Sequence, residues 1–288
     1  MSLHTTGHTK LLCLLGSPVE HSISPEMHNE ACALLGLDYH YLAFDVPLDR
    51  LETAVAGLKA MGVKGFNLTM PDKNKMVALC DELSPAAKIC GAVNTVVNYN
   101  GRLIGHTTDG IGYVMSARDA GFDLVGKRVV QLGAGGAGAS ILVQAAIDGA
   151  AAIDVFNPND TFWPRAAQIV VQLNEQTKCR VTLHDLENLD KLRGCLSEAD
   201  LLLNTTPVGM ITIPGCLIPD SSFFHPGLVV SDVIYNPKET QLLRMARKAG
   251  LHTFNGTYML LYQGAASFKL WTGQDMPVQP IKEKYFSV

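Results

Sequence analysis

The sequence has no cysteine pair spaced C-x-x-C, no apolar run near the roughly 18 residues that span a bilayer, and no surplus of basic side chains. Each absence excludes a class of protein. Its seven cysteines are scattered and odd in number, with no histidine nearby at zinc spacing. That argues against a disulfide scaffold or a zinc module and for reduced, buried thiols; no metal is expected. With Lys+Arg at 23 against Asp+Glu at 27 and a pI near 6.1, there is no positive field to draw nucleic acid or an anionic membrane. Residues 1–10 lack a signal-peptide core, so a soluble, cytoplasmic protein is expected. His4 and His8 have a helical metal spacing, but they lie in a polar stretch that reads as a disordered end. No repeat or low-complexity tract is present.

What the chain does have is alternation. Its 288 residues exceed what one core usually holds, so two domains are expected. In the first part, residues 11–15, 39–46, 65–69 and 92–97 read as strands, and 25–35, 48–61 and 73–80 as helices. Asn100-Gly101 predicts a hairpin between residues 93–97 and 103–104. From Gly126 the pattern restarts, with strands at 128–132, 152–156, 180–183, 200–203 and 228–232. The fold class is therefore α/β in two domains: an N-terminal, mainly parallel α/β substrate domain over 1–113 and a C-terminal Rossmann-like dinucleotide-binding domain over 114–255. The helix 110–120 links them, and the helices of 256–288 are expected to pack back on the first domain.

The sharpest local signal is the turn Gly133-Ala134-Gly135-Gly136-Ala137-Gly138, which follows the apolar run 129–132. Glycines spaced G-x-G-x-x-G allow a tight strand-to-helix turn and let backbone approach a pyrophosphate without a Cβ in the way. The helix start adds free N–H groups and the positive end of its dipole, and the small residues Ala139 and Ser140 keep the entrance open. A plain strand-to-helix turn carries the same letters, but the strand before and helix after favour a dinucleotide.

In the first half, polar residues cluster after strands, where ligands of open α/β sheets bind. Ser22 and Ser24 precede a helix opening at Pro25; a helix cap, placed on Ser24, explains them, and so does a small carboxylate held by both hydroxyls. Lys73 alone reads as a surface lysine, and Asp109 as a helix cap.

Taken in order, residues 16–29, Asn67-Leu68-Thr69-Met70-Pro71-Asp72-Lys73, Gly91-Ala92-Val93-Asn94-Thr95, Thr108-Asp109-Gly110, the glycine turn, residues 204–210, Tyr235-Asn236-Pro237 and Met259-Leu260-Leu261-Tyr262-Gln263-Gly264 resemble the shikimate dehydrogenase family over nearly the whole chain. The resemblance implies a two-domain enzyme, its active site in the cleft, that interconverts 3-dehydroshikimate and shikimate with a nicotinamide cofactor; the family also holds enzymes that accept quinate. It implies that Ser22 and Ser24 hold the substrate carboxylate with help from Tyr235, and that Asn67, Thr69, Asn94, Asp109 and Gln263 bind ring hydroxyls and Lys73. It places the dinucleotide on Gly133, Ala134, Gly135, Gly136, Ala137 and Gly138, on Asn157 and Asp160, and on Thr205, Thr206, Pro207 and Gly256. Alcohol oxidation requires a group within hydrogen-bond reach of the hydroxyl to take its proton, and Lys73 is the only nearby candidate with suitable titration. Retention of Lys73 and Asp109 favours an enzyme over a non-catalytic relative that senses shikimate or quinate.

Two departures stand out: Thr107 occupies a position the family fills with Asn, and Tyr258 one it fills with Gly. Where NADP-preferring members present Asn-Arg-Thr after the second Rossmann strand, this chain reads Phe156-Asn157-Pro158-Asn159-Asp160, with no arginine before Arg165. A carboxylate there accepts ribose hydroxyls and repels a 2′-phosphate, so NAD is favoured over NADP; a helix cap is the competing use of Asp160. No nucleic-acid or membrane partner is expected, only the small-molecule substrate, in a monomer or homodimer.

Overall fold

The computed structural model describes residues 5–286; His4 lies outside them. The chain forms two compact units, one made of residues up to Thr108 with those from Leu261 onward, the other of Asp109–Leu260. Among the described residues no helix is long and apolar enough to cross a membrane.

The first unit is a six-stranded sheet flanked by helices. In chain order it holds β1 (Lys10–Gly16), α1 (Ser24–Leu35), β2 (Tyr39–Asp45), α2 (Leu51–Ala60), β3 (Gly65–Leu68), β4 (Glu82–Leu83), α3 (Pro85–Cys90), β5 (Thr95–Tyr99) and β6 (Arg102–His106), with strand order β2-β1-β3-β5-β6-β4. The continuous apolar run of β1 suits a central strand buried on both faces. Strand β1 pairs in parallel with β2 and β3, whereas β5 runs antiparallel to both β3 and β6. The antiparallel pair comes from the Asn100-Gly101 hairpin, whose two residues take φ of 52° and 88°, as a tight primed turn demands.

Local readings need correction here. The helix expected over 73–80 is a short 3-10 segment, Lys75–Leu79. The chain is tied down at both ends, Val93 donating its N–H to Lys73 O and Asp81 to Leu103 O, and the stretch between these ties coils into a tight turn of five residues. Helix α2 begins at Leu51, after a turn in which Arg50 N–H is donated to Pro47 O. Elements β4 and α3 were not anticipated, although Ser84 caps α3 by accepting Ala87 N–H and Pro85 fills its first position.

The second unit holds α4 (Asp109–Asp119), β7 (Arg128–Leu132), α5 (Gly136–Ile147), β8 (Ala152–Asn157), α6 (Trp163–Gln176), β9 (Arg180–Asp185), α7 (Leu189–Leu196), β10 (Leu201–Asn204), β11 (Val229–Asp232), α8 (Gln241–Lys248) and β12 (Thr253–Phe254). All its strand pairs are parallel, in the order β12-β11-β10-β7-β8-β9. Numbered within the unit that is the doubly wound order, with the reversal between β7 and β10, where such sheets bind ligands. Helices α9 (Thr257–Thr272) and α10 (Val278–Tyr285) close the chain. From Leu261 onward they belong to the first unit, where Trp271 Nε1 donates to Val96 O at 2.9 Å and its ring lies where a Cβ on Gly65 would overlap it.

Candidate active site

In the first unit most of the expected substrate residues converge on one buried hydrogen-bonded frame. Asn67, on β3, accepts the Tyr41 hydroxyl at 2.8 Å through Oδ1. Its Nδ2 hydrogens are shared among Asn94 O (3.0 Å), Thr95 Oγ1 (3.0 Å) and Ser267 Oγ (3.2 Å). Asn94 in turn accepts Thr108 N–H at 2.7 Å and reaches Gln263 Oε1 at 3.5 Å. These side chains come from three strands, a loop and α9, and mutual satisfaction is what makes so polar a cluster tolerable below the surface. Asn67 spends its amide inside the protein, so it sets the position of Asn94 besides any contact it makes with a ligand.

Lys73 joins this frame through backbone, and Thr69 is tied by its backbone to β1. Thr69 N–H is donated to Leu15 O, and Val93 N–H to Lys73 O, both at 2.9 Å. The half-buried lysine therefore stands in fixed register with Asn94, one residue past its backbone tie. Thr69 Cγ2 fills the space a Cβ on Gly16 would need, which closes β1 against the same turn. Asp72, beside Lys73, has a buried carboxylate with neither oxygen hydrogen-bonded. Burial raises its pKa, and the charge of Lys75 opposes the rise.

Ser22 and Ser24 sit at the start of α1, but the cap expected of Ser24 is not made by it. Ser24 is the first helical residue, after Ile23, and its N–H is donated to Ser22 Oγ at 3.3 Å. The Ser24 hydroxyl neighbours Tyr41, whose pKa burial raises well above its ordinary value. Thus Ser24, Tyr41 and Asn67 form a chain from helix start to frame.

In the second unit the glycine turn is locked by side chains from adjacent strands. Gln131 Nε2 donates to Gly133 O (2.8 Å) and Gly138 O (2.9 Å), and Thr205 Oγ1 lies 2.8 Å from both Leu132 O and Gly133 O. A Cβ on Gly138 would overlap Thr205 Oγ1, and Gly133 has φ of 92°. By contrast nothing lies within 4 Å of a Cβ built on Gly135 or Gly136, and no side chain caps α5. The turn thus presents open backbone and a helix start without a side-chain cap, the donor set that suits a pyrophosphate. Asn157, buried at the end of β8, accepts Ala134 N–H at 2.9 Å.

Asp160 is exposed and accepts Phe162 N–H at 2.9 Å, a turn-capping bond ahead of α6 that occupies Oδ1. Thr206 Oγ1 donates to Asn204 Oδ1 at 2.7 Å, and Pro207 is exposed beside it. Gly256 is needed because a Cβ there would overlap Val233 O. Tyr235 is exposed, 54%, on the loop after β11; neither it nor Asp160 belongs to a described side-chain network with the other expected residues. Asp109 is buried at the first position of α4.

Sequence reasoning missed the supporting residues. Asp232, buried, accepts Asn204 Nδ2 (3.1 Å), Thr240 Oγ1 (2.8 Å) and Ile234 N–H (3.0 Å), tying the loops after β10 and β11. Burial still raises its pKa against these bonds. An aspartate closing an apolar strand and a threonine before a helix were the available signals.

A doubly wound unit with an open glycine turn, joined to a second α/β unit that carries a lysine on a buried amide frame, is the architecture of a dinucleotide-dependent oxidoreductase. Residues 14–96 match the model of the shikimate dehydrogenase substrate binding domain, and 256–284 that of the shikimate 5'-dehydrogenase C-terminal domain. A shikimate dehydrogenase (NADP(+)) of Listeria monocytogenes is 46% identical, covering 98% of this chain and 97% of that protein. A crystal structure of shikimate 5-dehydrogenase from Listeria monocytogenes with shikimate and NAD superposes with a TM-score of 0.94 at 45% identity, over 98% of both chains. A quinate dehydrogenase from Corynebacterium glutamicum with NAD gives 0.85 at 30% identity, over 97% and 99%. The chain belongs to the shikimate dehydrogenase family.

Proposed function

We propose that this chain interconverts shikimate and 3-dehydroshikimate, with Lys73 carrying the proton. The observation that supports it most is the frame itself: a half-buried lysine tied by its backbone to the loop before β5 that carries Asn94, which is tied in turn to Thr108 and Gln263. The relatives named as shikimate dehydrogenases support the substrate. A nicotinamide dinucleotide, when bound, supplies the hydride acceptor or donor. The chain's own residues do the rest. Lys73 Nζ takes the hydroxyl proton during oxidation and returns it during reduction, with Asp109 assigned to the same proton transfer. Asn94, Thr69 and Gln263 orient the ring hydroxyls from a preorganised frame, and Ser22 and Ser24 hold the carboxylate.

NAD is the preferred cofactor in this reading. The chain after β8 offers Asp160 and no arginine, and the Listeria enzyme was crystallised with NAD, although relatives are named for NADP(+). The open cradle at Gly135 and Gly136, the uncapped start of α5 and Asn157 fit the dinucleotide. The test is reduction of NAD and NADP measured with shikimate and quinate in parallel. Shikimate-dependent turnover with NAD above NADP is expected; no turnover of shikimate with either cofactor overturns the activity, and a tenfold NADP preference overturns the cofactor assignment.

A further inference from the structure

Three metal-ligating side chains meet in the dinucleotide-binding unit, away from its glycine turn: Asp154 on β8, His184 on β9 and Cys195 on α7. Their donor atoms all lie within 4.8 Å of one another, and all three residues are half-buried. His184 Nε2 and Asp154 Oδ1 are 2.7 Å apart. The fold dictates the meeting. Asp154 and Phe156 share a face of β8, His184 lies opposite Phe156 in register, and its ring stacks on Phe156 at 4.8 Å. Leu192 and Leu196 seat α7 on that same face, in one core with Phe156, and so bring Cys195 down beside the pair. No spacing rule would find ligands drawn from two strands and a helix.

We propose that Asp154, His184 and Cys195 form a binding site for a divalent ion of the zinc class. Thiolate and imidazole together select zinc-like ions over magnesium or calcium, and three protein ligands leave a fourth position for water. Donors of a tetrahedral zinc site stand about 3.3–3.6 Å apart. The histidine–aspartate pair, at 2.7 Å, must therefore open by about half an ångström, and the thiol, no more than 4.8 Å from either, has at most about an ångström to close, within the reach of side-chain rotation. On binding, metal–sulfur, metal–nitrogen and metal–oxygen bonds form and the thiol proton leaves to solvent. The ion takes the lone pair of His184 Nε2, so the hydrogen that nitrogen directs at Asp154 Oδ1 in the free protein passes to Nδ1 through solvent. One thiolate and one carboxylate then balance the ion's two positive charges. Lys191 and Arg128 act electrostatically on the thiol. Arg128 is paired with Glu198 at 2.7 Å, which tempers its repulsion of a cation. An ion here would clamp β9 and α7 to β8, the strand that ends at Asn157, the residue that holds Ala134 in the glycine turn.

The test uses the full chain, stripped with a chelator and titrated with cobalt(II) alone. One equivalent should bind with the intense near-ultraviolet band of a cobalt–thiolate bond. Cys195→Ala should lose the band and weaken binding by at least about 100-fold, more than the loss of an outer partner costs. His184→Gln, which keeps the thiol, should weaken binding with the band retained at saturation. In parallel, zinc should raise the thermal midpoint of the wild type and leave that of Cys195→Ala unmoved, a readout that also reports whether the variant folds. Asp154→Asn replaces it if it does not. Absence of the band in the wild type, or its persistence in Cys195→Ala through one of the other six thiols, overturns the site.

Discussion

The Tyr41 hydroxyl is donated to Asn67 Oδ1 at 2.8 Å, with both side chains buried, and this single bond decides which way the Asn67 amide faces. With Oδ1 turned to Tyr41, Nδ2 must face Asn94 O, Thr95 and Ser267. Tyr41→Phe keeps the ring and leaves a buried acceptor without a donor, which costs about 1–3 kcal/mol. Urea unfolding should show that loss. KM for shikimate should rise more than kcat falls, because Asn94 loses its fixed backing. Unchanged stability would mean the amide finds another donor.

This frame was half legible in the sequence. Asn67, Asn94 and Gln263 lay in recognisable motifs, whereas Tyr41 and Ser267 look like an ordinary strand aromatic and a helix serine. Their role depends on pairings distant in sequence, 26 residues for Tyr41 with Asn67 and 200 for Asn67 with Ser267, which local patterns do not encode. The glycine turn was legible because its chemistry is local: Gly133 and Gly138 are fixed by steric demands within one turn. The segment 73–80 was not, since its helix-like letters yield to two tertiary backbone ties. The cap expected of Ser24 was misread because Ser24 is already the first helical residue: Ile23 fills the cap position without a side-chain bond, and Ser22 Oγ accepts Ser24 N–H.

Lys73→Ala should lower kcat by about 100-fold or more with a smaller change in KM, the usual loss when a positioned proton-transfer group is removed. Its backbone tie to Val93 needs no side chain, so the fold should survive. Steady-state kinetics with shikimate check this, and an unchanged kcat removes Lys73 from the chemistry.

The two kinds of glycine in the turn separate packing from binding. At Gly138 an added Cβ meets Thr205 Oγ1 and Gly133 O, so Gly138→Ala should lower both the thermal midpoint and the affinity for dinucleotide. At Gly135 the space is open, so Gly135→Ala should leave the unfolding free energy within about 0.5 kcal/mol of wild type and still weaken dinucleotide binding by obstructing the pyrophosphate. Calorimetry of both variants is decisive; equal behaviour would mean the open side of the turn does not face the cofactor.

His28 is fully buried, stacks on Tyr41 at 4.4 Å, and has no hydrogen-bond partner for either ring nitrogen. Burial pushes its pKa down to about 3. Between that value and the unfolded value near 6.5 the unfolded chain binds a proton that the native state does not. His28 therefore makes stability fall as pH drops through this window, by about 1.4 kcal/mol per unit. His28→Phe keeps a flat apolar ring in the same stack and removes the proton, so its stability should depend less on pH between 3 and 6.5. Urea unfolding of both proteins at several pH values checks the slope; parallel curves would show that native His28 takes up its proton as readily as the unfolded chain does, so that burial does not hold it neutral.

Cofactor choice turns on Asp160, and the structure sharpens how to test it. Its Oδ1 accepts Phe162 N–H, so Asp160→Ala would disturb the turn as well as remove the charge, whereas Asp160→Ser keeps an acceptor for that N–H. With Oδ1 so occupied, Oδ2 is the oxygen left to meet a ribose hydroxyl. If the carboxylate repels a 2′-phosphate, Asp160→Ser should raise kcat/KM for NADP by about tenfold, equivalent to about 1.4 kcal/mol. Asn159→Arg should add to this, because a guanidinium pairs with a phosphate through two hydrogen bonds. The two changes sit side by side, so their effects need not add, and the double variant measures the coupling. An Asp160→Ser enzyme with unaltered NADP kinetics would confine Asp160 to capping the turn before α6 and leave the preference to be explained by Asn157 and the backbone of the glycine turn.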